Sequence, residues 1–106
     1  MEALERVIDA RRNDPPDRSY TSRLLAKGVD GPGPKVEEEA GELVAAARDE
    51  ADDRVVAEAA DLVYHMLVLL ACRRVPFSLV EDELSRRFGV SGLVEKASRG
   101  GAGGEA

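Results

Sequence analysis

Five carboxylates in this chain are spaced as chemistry would need them. Glu38, Glu39 and Glu42 form the pattern E-E-x-x-E within PKVEEEAGELVAAA, and Glu58 and Asp61 form E-x-x-D within EAADLVYHMLVLL. On a helix, residues three apart lie one above the other on the same side. An isolated ionised carboxylate in apolar surroundings costs several kcal/mol. Two such pairs facing each other would also repel. A divalent cation removes both difficulties. Four carboxylates with no cysteine among them are hard oxygen donors, which suit Mg²⁺ or Mn²⁺; zinc or copper would recruit histidine or cysteine. Mg²⁺ held by a few carboxylates keeps positions for water and phosphate oxygens, the arrangement used in metal-assisted phosphoanhydride cleavage. Glu39, Glu42, Glu58 and Asp61 are therefore the candidate metal ligands. The competing reading is plainer. An acidic first turn suits a helix dipole, and Glu58 and Asp61 pair with arginines. Glu37 is left to the dipole on either reading.

The elements that must position these acids are helices. Ala3, Leu4, Val7, Ile8 and Arg11 mark an amphipathic helix over 3–12. Pro15 and Pro16 break the chain. SYTSRLLAKG reads as a short helix ending at Gly28, and VDGPGP as a loop. A helix follows over 34–48, with Val36, Ala40, Leu43 and Ala47 on its core face and Glu39 and Glu42 on the edge, about 60° apart. Asp52 or Asp53 is the expected N-cap of the next helix, over 53–73. That helix is apolar on nearly every face, and so is either buried or membrane-spanning. Glu58, Asp61, Tyr64 and His65 interrupt it, which argues against a span. The short linker makes an αα-hairpin that brings the two acidic pairs together. Ser78 and Glu81 read as a capping box opening a helix that ends near Phe88, with Gly89 behind it. His65, one turn after Asp61, reads as a hydrogen-bonded core histidine, and Tyr64 as packing with its hydroxyl satisfied.

The fold class is thus all-α, a bundle of four main helices. One short chain hardly covers its apolar central helix, so a homodimer is expected to complete it. Residues 1–90 form the domain, and 91–106, ending in RGGAGGEA, a tail flexible at its end. The single cysteine, Cys72, excludes an internal disulfide and favours a reduced, cytoplasmic setting. MEALERVIDARR is charged and periodic, unlike a signal peptide. The net charge of −6 argues against a nucleic-acid binder. Against that balance, Arg18, Arg23, Lys27 and Lys35 surround one acid, Asp30, in a locally basic segment suited to a phosphorylated ligand.

The acidic spacing resembles the all-α nucleotide pyrophosphatases, the MazG-like superfamily, and within it the phosphoribosyl-ATP pyrophosphatases. SYTSRLLAKG, KVEEEAGELVAAA, EAADLVYHMLVLL and FGVSGLVEKASR are similar to that family's blocks, in order. The resemblance implies Mg²⁺-dependent hydrolysis of phosphoribosyl-ATP, the second step of histidine biosynthesis, by a homodimeric helical protein. It implies Glu39, Glu42, Glu58 and Asp61 as metal ligands and Glu38 as a further ligand or a residue orienting water. Lys35, at the start of the acidic helix where backbone N–H groups favour anions, is the first candidate for the polyphosphate. Arg23 and Lys27 are the others. The family often has two adjacent lysines and a glycine before its paired glutamates; here those places read Pro34, Lys35 and Glu37. The cyclohydrolase domain sometimes fused to this enzyme is expected to reside elsewhere. Two other functions compete: a house-cleaning pyrophosphatase for another nucleoside triphosphate, which would use the same acids, and a dimeric helical interaction module, which would need no metal.

Overall fold

The computed structural model describes residues 1–89, and these contain helices and no strand. Five α-helices run in order: α1, Glu2–Arg11; α2, Tyr20–Ala26; α3, Pro32–Asp49; α4, Asp52–Cys72; and α5, Phe77–Phe88, with a 3-10 turn at Gly28–Asp30. The expected tail, 91–106, lies outside the described residues.

Within Met1–Val75, α3 and α4 form the central hairpin, and α1 and α2 pack against α4. Only Glu50 and Ala51 join α3 to α4. Ile8 of α1, Leu24 of α2, Ala46 of α3 and Leu67 and Val68 of α4 are the buried apolar core. The Arg12 guanidinium donates to the Ala71 carbonyl (3.2 Å) near the end of α4, which ties the two helices. Burial pushes the Cys72 thiol above its ordinary range, against the opposing charge of Arg12, which suits an inert core thiol.

Several boundaries differ from the sequence expectation, each for a local reason. α3 opens at Pro32 rather than Pro34 and so absorbs half of the expected loop, while Val29 and Asp30 join the 3-10 turn. The first N–H groups of a helix lack intrahelical acceptors, so both prolines fit its first turn. α4 is capped by Ala51, not by an aspartate. With two linking residues the helix starts at once, and Asp52 and Asp53 become its acidic first turn. The Ser78–Glu81 capping box does not form: Pro76, in extended backbone, takes the N-cap place and Ser78 already lies inside α5. α2 begins as its sequence suggests, with Ser19 accepting from the Ser22 N–H (3.2 Å) and a left-handed Gly28 (φ 66°) just beyond its end.

The phase of α3 matters most for function. Ala40 and Ala47, expected in the core, are exposed; Pro32, Glu39 and Ala46 are buried, with Val36 and Leu43 half-buried beside them. Glu39 therefore lies at the middle of the inner face, not at its edge. A short alanine gains little by burial, whereas Glu39 meets a buried partner there.

By length and composition α4 is apolar enough to cross a membrane, a test that core helices also pass. In this chain it buries Glu58 and His65 along with Leu67 and Val68.

The remaining helix, α5, is amphipathic and closes at Gly89 in the left-handed region (φ 64°). On its surface Glu83 accepts from both Arg86 and Arg87, which hold its carboxyl below the usual range.

Candidate active site

Helix α4 places Glu58, Asp61 and His65 one turn apart, and across the hairpin α3 brings Glu39 to His65 and Glu42 beside Glu58. Glu39 and Glu58 are each 8 % exposed, and His65 is 6 % exposed. Glu38, Glu42 and Asp61 are exposed.

Each buried acid has found a partner. Glu39 Oε1 lies 2.6 Å from His65 Nδ1, which is also 3.0 Å from the Asp61 carbonyl oxygen. Both neighbours accept, so the partners assign the proton to Nδ1. The other ring nitrogen, Nε2, then accepts from the Tyr20 hydroxyl at 2.7 Å. Burial, opposed by Lys35 and Arg23 and reinforced by Tyr64 and Glu39, pushes the Tyr20 hydroxyl above its ordinary value. A second bond joins the hydroxyls of Thr21 and Tyr64. The N-terminal turn of α2 is thus pinned twice to α4. His65 and Tyr64 have the satisfied polar atoms expected of core residues, but the chain from Tyr20 to Glu39 could not be read from spacing. Its signal was the pair of short motifs SYT and YH, which only the fold sets side by side.

Glu58 was expected to meet metal or arginine, and here Arg54, one turn earlier, donates to its Oε2 at 2.5 Å while also reaching Glu50 at 3.3 Å. Arg54 is a functional neighbour that sequence reasoning missed, although its i,i+4 spacing to Glu58 could have signalled it. The other oxygen, Glu58 Oε1, is buried with no hydrogen-bond partner. Unpaired buried oxygens are uncommon, and an ion is one explanation for them. Beside it, Glu42 is held above the usual carboxylate range by desolvation, then by the charges of Glu58 and Glu38 and a hydrogen bond with Glu58, with Glu39 adding. The region therefore concentrates negative charge that the protein only partly offsets.

The four candidate ligands do not form a finished cage. Among the described residues no three acidic, histidine or cysteine side chains are gathered closely enough to hold an ion. Glu39 is turned to His65, Glu58 to Arg54, and Asp61 stands exposed. Rotation of carboxylates on fixed helices would be required to gather them. The donor chemistry fits a hard divalent cation, as does the orphaned Glu58 oxygen.

The basic candidates are spread along the entry to α3. Lys35 pairs with Glu38 at 3.7 Å. Arg23 sits 5.7 Å from the centre of the Tyr20 ring and donates to the Pro16 carbonyl at 3.4 Å. Lys27 caps the end of α2 and is exposed. Lys35 and Arg23 both act on the Tyr20 hydroxyl, each favouring its ionisation against the effect of burial.

Comparison with known proteins gives this geometry a family. The profile described as phosphoribosyl-ATP pyrophosphohydrolase matches residues 1–88. A phosphoribosyl-ATP pyrophosphatase of Trichlorobacter lovleyi is 52% identical over 99 residues, covering 93% of this chain and 92% of the relative. One from Erythrobacter litoralis is 52% identical over 100 residues, covering 94% and 96%. The histidine biosynthesis bifunctional protein HisIE of Helicobacter hepaticus is 48% identical over 99 residues, 93% of this chain but 43% of that longer protein. On the strength of the matched profile and of these relatives, the chain belongs to the phosphoribosyl-ATP pyrophosphohydrolase family.

Proposed function

We propose that this protein hydrolyses phosphoribosyl-ATP to phosphoribosyl-AMP and pyrophosphate, a step of histidine biosynthesis. Family membership supports the substrate. The observation in the fold that carries the chemistry is the buried Glu58 Oε1, which has no hydrogen-bond partner, in a cluster of acids that includes Glu42.

Glu39, Glu42, Glu58 and Asp61 would hold Mg²⁺, with Mn²⁺ as a substitute. When bound, the ion offsets charge on the polyphosphate and on the departing pyrophosphate. The protein supplies the rest. Glu38, exposed on the outer side of α3, orients the attacking water or adds a ligand. Lys35, Arg23 and Lys27 lie on the basic approach to α3 and steady the phosphates. Rigid helices hold the acids in register; side-chain rotation lets Glu58 exchange Arg54 for the ion, while Glu39 has its second oxygen to offer.

Residues 1–90 are the catalytic domain in this reading, with 91–106 a tail. The setting is the reduced cytoplasm, with neither nucleic acid nor membrane as partner. A homodimer completes the fold. Among the apolar residues of α4 only Leu67 and Val68 are buried, and Val44 and Val56, near the turn of the hairpin, are 50% and 67% exposed. A second copy would cover such surface. Sedimentation equilibrium is expected to give twice the chain mass; a one-chain mass across the micromolar range would end the dimer reading.

The activity is tested by incubating the protein with Mg²⁺ and, separately, phosphoribosyl-ATP, ATP, dCTP and dUTP, and measuring pyrophosphate. Release from phosphoribosyl-ATP alone, abolished by chelation, is the expected result. Release only from a standard nucleoside triphosphate would instead identify a house-cleaning enzyme. No release by folded protein would favour an interaction module.

A further inference from the structure

The hydrogen-bonded chain Tyr20–His65–Glu39 crosses three helices and ends on a proposed metal ligand. We propose that His65 is a positioning residue: its Nδ1–H fixes the Glu39 carboxylate for a divalent cation, and the Tyr20 hydroxyl fixes His65. This rests on the reading of Glu39 as a ligand.

The geometry supports the assignment at each link. Glu39 is buried on the inner face of α3, where an unpaired carboxylate would be costly. A single bond of 2.6 Å from Nδ1 to Oε1 orients it, and a carboxylate has a second oxygen to offer an ion. The imidazole cannot swing away, because Nδ1 also points at the Asp61 carbonyl on its own helix (3.0 Å) and Nε2 accepts from Tyr20 (2.7 Å). The Tyr20 and Tyr64 rings meet the imidazole edge-on, at 5.7 Å and 4.9 Å between centroids. Outer hydrogen bonds of this kind orient metal ligands, and losing one typically lowers metal affinity or activity about 10–100-fold. The chain also gives α2 a part in the site. The helix that carries Arg23 and Lys27 holds, through Tyr20, the histidine that holds Glu39.

Two substitutions separate the ends of the imidazole. Asparagine at position 65 places an amide N–H near Nδ1 and can keep the bond to Glu39. Glutamine reaches toward the Nε2 position and gives that bond up. The readout is direct Mn²⁺ binding to the full chain by electron paramagnetic resonance, with thermal melts for folding and the Mg²⁺ dependence of pyrophosphate release alongside. His65→Gln is expected to weaken Mn²⁺ binding about 10–100-fold and to raise the Mg²⁺ concentration needed for turnover. His65→Asn is expected to stay much closer to wild type. Equal losses in the two variants would overturn the proposal, since the bond to Glu39 would then not be what matters. Wild-type Mn²⁺ binding by His65→Gln, while Glu39→Gln binds poorly, would overturn the positioning role and leave the ligand reading standing. Wild-type binding by Glu39→Gln would remove the ligand reading and this proposal with it. Should His65→Gln fail to fold, Tyr20→Phe, which deletes only the outer hydroxyl, takes its place: weakened Mn²⁺ binding supports the chain, and unchanged binding overturns it.

Discussion

Asp61→Asn is expected to reduce pyrophosphate release by at least about 100-fold while leaving the helical fold and its melting temperature close to wild type. The reason lies in where Asp61 stands. Glu39 and Glu58 are buried and partnered, so changing either mixes folding with function. Asp61 is exposed on α4 and forms no ion pair among the described residues. An exposed substitution of this kind usually changes stability by about 0.5 kcal/mol or less. Its backbone carbonyl, the part that His65 uses, survives the change. Loss of one negative charge also lowers repulsion within the acidic cluster. Stability should hold or rise as activity falls, and that opposition is hard to produce by structural damage. Circular dichroism melts beside the phosphoribosyl-ATP assay decide it. A folded variant with full turnover would remove Asp61 from the ligand set.

Gly31→Ala is expected to destabilise the protein by about 1–3 kcal/mol or more, a large share of what a domain of this size has. A Cβ at Gly31 would lie 2.2 Å from the Leu24 carbonyl oxygen and 3.0 Å from its carbon. These are backbone atoms and cannot step aside as a side-chain end can. The penalty is steric rather than conformational, because Gly31 has φ −78° and ψ −69°, open to any residue. Relief requires α2 to move away from the start of α3. Tyr20 and Thr21 oppose that movement by their bonds to His65 and Tyr64. Gly41→Ala is the control: a Cβ there meets nothing within 4 Å, and the residue lies inside α3. Alanine for an interior helical glycine should stabilise by about 0.5–1 kcal/mol. Chemical denaturation of both variants checks the pair; equal midpoints would show that the close approach of α2 to α3 does not matter.

Much of the fold was legible because helix signals are local. The spacing of Leu4, Val7 and Ile8 gave α1, Ser19 and Gly28 bracketed α2, and the long apolar run gave α4. Boundaries failed where a signal competed with a constraint from its neighbours. Asp52 and Asp53 are good caps, but a two-residue hairpin left no room to use one outside the helix. Ser78 and Glu81 match a capping box, but Pro76 set the N-cap two residues earlier. Both misreadings treated a motif as if its position in the helix were free.

The site divides along the same line. By itself the sequence determined that two carboxylate pairs stand at i,i+3 on neighbouring helices, that their donors suit a hard divalent cation, and that a basic segment precedes them. Those are properties of residue type and helical period, and they need no tertiary contact. Only the tertiary structure decided which acids are buried and what each touches. It rotated α3 so that Glu39, not Ala40, faces inward, and set Arg54 on Glu58. It also brought Tyr20, His65 and Glu39, residues far apart in the chain, into one line of hydrogen bonds. The physical reason is that a buried polar group must find its partner in three dimensions, and the packing of helices determines which partner is within reach.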